Sequence, residues 1–438
     1  MQTAPTPTYP ELLRVFGRIG LLNFGGPAGQ IALMHKVLVD EHAWVDEDDY
    51  LRALNFCTLL PGPEAQQLAT YVGWKLHGLK GGLAAGLLFI IPGALVVLLL
   101  SILYAYAADL SPVAAALLGV KAAVLAIVVE ALLRIGKRAL GTRFKQAIAL
   151  AAFIALAVFS APFPLVVLGA GVIGAVVAAK RPDLLALKTK TGGAAAPRVS
   201  LKSVALTIIG WLALWGAPLA LAFLLLGPDH VLVEVGVFFS KLAMVTFGGA
   251  YAVLAYMAQE AVAAHGWLKP NEMVDGLGLA ETTPGPLILV TEYVGFLAGF
   301  RNPAPFVPLV GGILAALMTL WVTFAPCFLW IFGFAPFIER LQHARRLQGA
   351  LAAITAAVVG VIANLTLWFA LHVLFARFAP RTIGPVTLSL PDVSSLDWRA
   401  VVLAILAAVL LFRLHTGVIK TIAAALVGGL VFYLLGFR

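Results

Sequence analysis

Two apolar stretches of this chain are broken in the same way, and no other feature limits its fold so tightly. "GRIGLLNFGGPAG" begins at Gly17 and "SKLAMVTFGGAYA" begins at Ser240. Laying Phe24-Gly25-Gly26 over Phe247-Gly248-Gly249 brings Trp44 onto Trp267 and Pro61-Gly62-Pro63 onto Pro284-Gly285-Pro286 without a gap. Chance does not align such punctuation over roughly forty residues, so the chain is a duplication. One residue out of that register, "TYVG" from Thr70 meets "EYVG" from Glu292. After a longer loop insertion Pro92 meets Pro326, and "GVKAAVLAIV" from Gly119 meets "AITAAVVGVI" from Ala353.

The repeats span residues 8–180 and 229–438, after a Thr/Pro-rich lead at 1–7 that reads as disordered. Between them, 181–228 holds a basic linker and one further apolar span from about Leu201 to Gly227. With 61% hydrophobic and 12% charged residues and a mean hydropathy of +0.98, a soluble domain could not cover its surface. Long uninterrupted apolar runs mark helices rather than the alternating strands of a β-barrel. The expected fold class is an all-α polytopic membrane protein. It has two homologous inverted-topology repeats with discontinuous helices and about 13 membrane-crossing elements.

Charge sets the expected orientation. Arg134, Lys137, Arg138, Arg143 and Lys145 crowd one loop; Lys180, Arg181, Lys188, Lys190, Arg198 and Lys202 crowd another, two spans away. Both belong on the cytoplasmic side, and the lone span then turns the second repeat upside down. The loop with Arg340, Arg345 and Arg346 returns inside, while Arg301, Arg377 and Arg381 fall outside against the trend. The N-terminus is thus placed in the cytoplasm and the C-terminus in the periplasm. The net charge of +9 is spent on topology and calls for no nucleic acid. No basic segment leads into an apolar core at the start, so no cleavable signal peptide is expected. Cys57 and Cys327 lie in apolar context and read as small core residues. The eight histidines form no metal-ligand pair, and neither a Walker A nor a G-x-G-x-x-G motif occurs. No metal, cofactor or ATP-driven cycle is expected.

In hydrocarbon, a helix can be interrupted only where its freed backbone groups meet protein, water or a ligand. "NFGGP" from Asn23 and "LLPGPEAQ" from Leu59 interrupt two runs of the first repeat; "TFGGA" from Thr246 and "ETTPGPLI" from Glu281 interrupt two of the second. Each Pro-Gly-Pro reads as one helix ending and another starting, and a helix start is a ready anion site. Glycine pairs let an oxyanion approach the backbone. Arg18 and Lys241 occupy the same position before each break and would attract an anion. Alternatively each pairs with a buried carboxylate, for which Glu64, Glu130, Glu260, Glu281 and Glu292 are available. The candidate substrate-binding set is Arg18, Asn23, Phe24, Gly25, Gly26, Pro27, Pro61, Gly62, Pro63, Glu64 and Gln66 in the first repeat. In the second it is Lys241, Thr246, Phe247, Gly248, Gly249, Thr282, Thr283, Pro284, Gly285 and Pro286. Thr58, Gln67 and Lys121 form a second tier. A threonine or glutamine in such helices more often bonds its own helix or a neighbour. The segments around Trp44 and Trp267 read as interfacial.

At these motifs the chain resembles the chromate ion transporter family in its long, two-domain form. The similarity runs through "NFGGPAGQIALMH", "LLPGPEAQQLATYVGWKLHG", "TFGGAYAVLAYM" and "TTPGPLILVTEYVGF". The resemblance implies export of chromate from the bacterial cytoplasm across the inner membrane, chromate resistance, and sulfate as a competing or exchanged mimic. It also implies two homologous halves in antiparallel orientation. Ala250 stands where the first half has Pro27, and Leu287 where it has Glu64, so the site is expected to be asymmetric. The alternatives are a transporter or channel for sulfate or another oxyanion, and a lipid-phosphate flippase. No nucleophile and base occur at motif spacing, so a transporter and not an enzyme is expected. The sequence leaves a homo-oligomer open.

Overall fold

The computed structural model describes residues 6–24, 26–187, 201–247, 250–337, 344–383 and 386–437. Most of the expected lead (1–5), part of the basic linker (188–200), Arg340 and three candidate glycines, Gly25, Gly248 and Gly249, lie outside the described residues. The protein is an all-α polytopic membrane protein. Six helices among the described residues are long and apolar enough to cross a bilayer: α4 (Glu64–Ala107), α5 (Ser111–Ala139), α7 (Phe163–Lys180), α8 (Leu201–Leu226), α13 (Pro308–Phe334) and α14 (Arg345–Leu374).

Shorter helices carry the punctuation. In the first repeat α1 (Tyr9–Leu22) stops before the glycine pair and α2 (Gly26–His35) resumes after it. In the second, α9 (Val231–Val245) and α10 (Ala250–Gln259) do the same. Each resumed helix ends in a π turn, Lys36–Glu41 and Glu260–Ala264, closed by matching bonds. His42 N–H donates to Val37 O and Trp44 N–H to Leu38 O; His265 N–H donates to Glu260 O and Trp267 N–H to Ala261 O. Each tryptophan packs on the histidine two residues before it. Trp267 is buried within this cap. Helices α3 (Glu47–Cys57) and α11 (Pro270–Thr282) then lead to the two Pro-Gly-Pro turns, and α12 (Val290–Arg301) follows the second.

The longer loop insertion of the second repeat has a simple counterpart. α4 leaves helical geometry only at His77 and Gly78, whereas α12 and α13 are separate helices joined by a loop. The hairpins that result need small residues where they cross. A Cβ on Gly73 would sit 2.4 Å from Gly81 O, and one on Gly299 would sit 2.4 Å from Gly311 O.

The chain divides into two compact units, each drawn from both halves of the sequence. One comprises residues 1–101, 187–253 and 283–351. There α13 packs against α8, α9 and α12, and paired indoles stitch α8 to α13. Trp215 Nε1 donates to Val322 O and Trp321 Nε1 to Leu214 O, each at 3.1 Å. The outer side of α8 is apolar and bare, with Leu224 78% exposed, as expected of a helix solvated by lipid.

The other unit comprises residues 102–186, 254–282 and 352–438. α5 lies at its centre, against α11, α15 (Trp398–Ala408) and α16 (Val418–Leu434). A β-hairpin, β1 (Phe378–Ile383) with β2 (Val386–Pro391), is the single departure from helix among its named elements. α5 and α16 approach backbone to backbone: a Cβ on Gly119 would lie 2.0 Å from Ala425 O. Close packing of this kind holds helices together where lipid removes the hydrophobic drive. Gly119→Val should therefore separate α5 from α16 and abolish a monodisperse peak in detergent size-exclusion chromatography. Gly169→Val, at a position with nothing within 4 Å of the added Cβ, should leave the peak intact.

Candidate functional site

The two breaks are built alike. Asn23 (φ −84°, ψ 67°) and Thr246 (φ −77°, ψ 79°) end their helices in the geometry of an inverse γ-turn. The closing bonds are Phe24 N–H to Leu22 O and Phe247 N–H to Val245 O, both 3.0 Å. Such a turn swings the central carbonyl off the helix axis. Proline has no N–H, so each buried Pro-Gly-Pro offers a single backbone donor, its glycine's. A buried N–H must be paired. It is paired across the repeat: Gly62 N–H donates to Thr246 O and Gly285 N–H to Asn23 O, each at 2.8 Å. Asn23 and Thr246 are repeat partners, as are Gly62 and Gly285, so these are two copies of one crossed bond.

Both turn glycines have positive φ, 123° at Gly62 and 95° at Gly285, where L side chains are strained. Space forbids a side chain as well. A Cβ on Gly62 would meet Gln67 Nε2 at 2.8 Å and Cys327 Sγ at 2.9 Å, and one on Gly285 would meet Leu289 Cδ1 at 2.8 Å. The turn carbonyls are satisfied by first-repeat glutamines. Gln67 Nε2 donates to Pro61 O at 2.7 Å, and Gln30 Nε2 reaches Gly285 O at 2.6 Å.

Between these turns lies a small cavity, with ≈ 10 Å³ open to the centre of a water molecule. It is lined by Pro27, Gln30, Pro63, Glu64, Ala65, Pro286 and Leu287, so the start of α4 and the start of the segment entering α12 both face it. The first helical bond of α4 is Gln67 N–H to Pro63 O; the N–H groups before it belong to the helix's positive end. Close by, Asn23 is fully buried and both polar atoms of its amide lack a partner. The Oε1 atoms of Gln66 and Gln67 are likewise buried and unpartnered. Native interiors rarely leave such groups unsatisfied, and a cluster of them marks room for a polar guest.

Of the sequence candidates, the structure brings together Asn23, Pro27, Pro61, Gly62, Pro63, Glu64, Thr246, Gly285 and Pro286 by these bonds and this cavity. Phe24 and Phe247 close the γ-turns, Gly26 opens α2 at φ 68°, and Pro284 O lies against Gly93. Thr246, Thr58 and Thr282 spend their hydroxyls on their own helices, and Gln66 Nε2 bonds Thr70. Thr283 is buried. Arg18 and Lys241 do not line the cavity. Both are exposed, and among the described residues neither joins an ion pair. Glu130 pairs with Arg134 instead, at 3.6 Å.

Lys121 is committed elsewhere. Its Nζ lies 3.2 Å from Asp275 Oδ1, and Tyr104 donates to Asp275 Oδ2 at 2.8 Å. Neither Asp275 nor Gln30 stands out in the sequence. Gln30 lies in a quoted motif but faces Val253 in the repeat register, so symmetry conceals it. The Lys121–Asp275 pair is mostly buried, with side chains 18% and 7% exposed. Removing one charge strands the other, at a cost of about 3–5 kcal/mol. Lys121→Met and Asp275→Leu should each lower the detergent melting temperature steeply, and the double variant should recover most of the loss. Gly62→Ala and Gly285→Ala should each cost about 1–3 kcal/mol through the strained φ, read in the same melting assay.

The family model described as chromate transporter matches residues 10–175 and 233–431. A chromate transport protein of Pseudomonas aeruginosa is 34% identical to the chain, over 87% of it and 85% of the relative. A chromate transport protein of Cupriavidus metallidurans is 27% identical, over 83% and 82%. An uncharacterized transporter of Methanocaldococcus jannaschii is 25% identical, over 85% and 87%. No solved structure matches the chain. A two-part match reaching from the first helix to the last, with a relative this similar over nearly its full length, places the chain in the chromate transporter family.

Proposed function

We propose that the protein exports chromate from the cytoplasm across the bacterial inner membrane, conferring chromate resistance, by alternating access around the crossed breaks. One observation carries the reading: two helix starts and the unpartnered amide of Asn23 gather where the Pro-Gly-Pro turns exchange bonds. Inverted repeats that build a central site from discontinuous helices are the architecture of secondary transporters. Helix N-termini stabilise an anion without burying a fixed cation, and Asn23 adds a neutral donor. The N-terminus would then lie in the cytoplasm and the C-terminus in the periplasm, with sulfate as a competing or exchanged dianion.

The membrane potential is a sufficient drive. With the interior negative, each exported negative charge gains about 2.3 kcal/mol per 100 mV, and a dianion about 4.6 kcal/mol. Arg18 and Lys241 fit an outer role in this cycle. Exposed and unpaired, they raise the local concentration of an approaching anion without holding it in the site.

The test is chromate uptake into inside-out vesicles at clamped potential, with sulfate present or absent on the far side. Uptake that follows the potential is the expected result. Uptake only against far-side sulfate would replace electrogenic export with exchange, and absence of uptake in both conditions would remove chromate as substrate. In the same vesicles, Arg18→Ala and Lys241→Ala should each raise KM roughly tenfold at low salt and less at high salt. An unchanged KM in both variants would remove them from the path.

A further inference from the structure

We infer that Glu64 is the cavity's built-in counter-anion, a carboxylate seated where the substrate binds, which must take up a proton before a tetrahedral dianion can replace it. The inference rests on the transport reading above and deepens it: the substrate crosses together with one proton.

The argument starts from position. Glu64 is the first residue of α4, directly after Pro63, and lines the cavity. Its carboxylate therefore stands at the positive end of the helical segment that runs from Glu64 to the break at His77 and Gly78, where a negative charge is stabilised. Among the described residues Glu64 makes no ion pair. Each element packed around it can be named. α2 contributes Gln30 to the cavity, a neutral amide, and the segment at 286–287 contributes Pro286 and Leu287. α3 ends at the buried thiol of Cys57, and α13 contributes the thiol of Cys327 beside Gly62. Among the described residues no lysine, arginine, histidine or second carboxylate lines the cavity; the titratable group of α12 is Glu292, buried in its first turn and outside that lining.

Size gives the second step. Space of ≈ 10 Å³ for water centres admits about one water molecule, far less than a tetrahedral oxyanion needs. A dianion enters only if the site opens and the Glu64 side chain yields. Charge gives the third. A dianion and a carboxylate together in one low-dielectric cavity repel, so each disfavours the ionised form of the other. Substrate binding and protonation of Glu64 are therefore linked with the same sign. The carboxylate takes one proton from the side on which chromate enters and releases it on the side where chromate leaves. The neutral acid travels with the dianion, and one net negative charge crosses per cycle instead of two. The second repeat has Leu287 at the equivalent position, so Glu64 has no acidic repeat partner and supplies one proton per cycle.

Purified full-length protein in proteoliposomes decides the matter, with the potential clamped by potassium and valinomycin and a pH dye in the lumen. Chromate and sulfate are the probes. Sulfate stays a dianion from about pH 6 to 9, which separates titration of the protein from titration of chromate. In the wild type, influx of either anion should acidify the lumen by about one proton per anion. On the alkaline side its rate should fall about tenfold per pH unit, as the protonated fraction does. Glu64→Gln should carry both anions with no luminal acidification, with two charges moved per anion and with that pH slope lost. Its alkaline flux should exceed that of the wild type.

Glu64→Gln with wild-type acidification and slope would overturn the inference, as would wild-type influx without acidification. A folded Glu64→Gln protein with no flux would overturn it too, because a neutral amide should admit the dianion. Wild-type vesicles that move neither anion would bring down the transport reading itself, and the inference with it.

Discussion

The site depends on a single backbone bond made twice. A Pro-Gly-Pro turn in a membrane interior has one N–H, and leaving it unpaired would cost several kcal/mol. Its partner must be a carbonyl freed from a helix ladder, and the only economical source is a helix that stops. The inverse γ-turns at Asn23 and Thr246 free such carbonyls, and Gly285 and Gly62 take them up. Each half thus breaks a helix to complete the other half's turn. Losing either break would leave the other half's turn N–H without its partner, which accounts for the glycine pair and the Pro-Gly-Pro motif recurring together.

The crossed bonds also determine what is left over. Once the turn donors are used, the groups still available near the turns are the helix-start N–H groups and the glutamine and asparagine amides. All are neutral. An anion held by neutral dipoles is held less tightly than one held by a buried lysine or arginine, because no strong Coulomb term opposes its release. A site that must load on one side and empty on the other benefits from that weakness. Lys121, mostly buried, is cancelled by Asp275 and Tyr104, and Arg18 and Lys241, which join no ion pair among the described residues, stay exposed.

Much of the architecture was legible because Gly and Pro act locally. Missing N–H groups and positive φ angles fall at the same sequence positions in both halves, and apolar composition alone called for transmembrane helices. The crossed pairing was not legible. Asn23 and Gly285 meet only through the turn geometry, and no sequence signal states which carbonyl a glycine will find. Gln30 was missed because its repeat partner is Val253, and Asp275 because it falls in no motif and in neither of the aligned breaks. The β-hairpin at 378–391 was missed because the surrounding helical signal is so strong.

Departures from symmetry have a direct energetic meaning in the proposed cycle. Two identical inverted halves would make the inward-open and outward-open states mirror images of equal energy. This chain does not keep that equality. Glu64 faces Leu287, Gln30 faces Val253, Pro27 faces Ala250 and Lys121 faces Thr355 across the repeat, and three of the four replace a polar or charged group with an apolar or smaller one. The polar groups that serve the Pro-Gly-Pro turns, Gln30 and Gln67, both come from the first half. The Gln30–Gly285 bond joins the halves, whereas the Gln67–Pro61 bond lies wholly in the first, so opening that strains the first half would put one bond more at stake. A difference of about 1.4 kcal/mol is a tenfold bias in population, and one net hydrogen bond of about 1 kcal/mol is already most of it. Small polar substitutions in one copy are thus enough to set which face an empty carrier prefers, while the backbone crossing that both copies share stays the same.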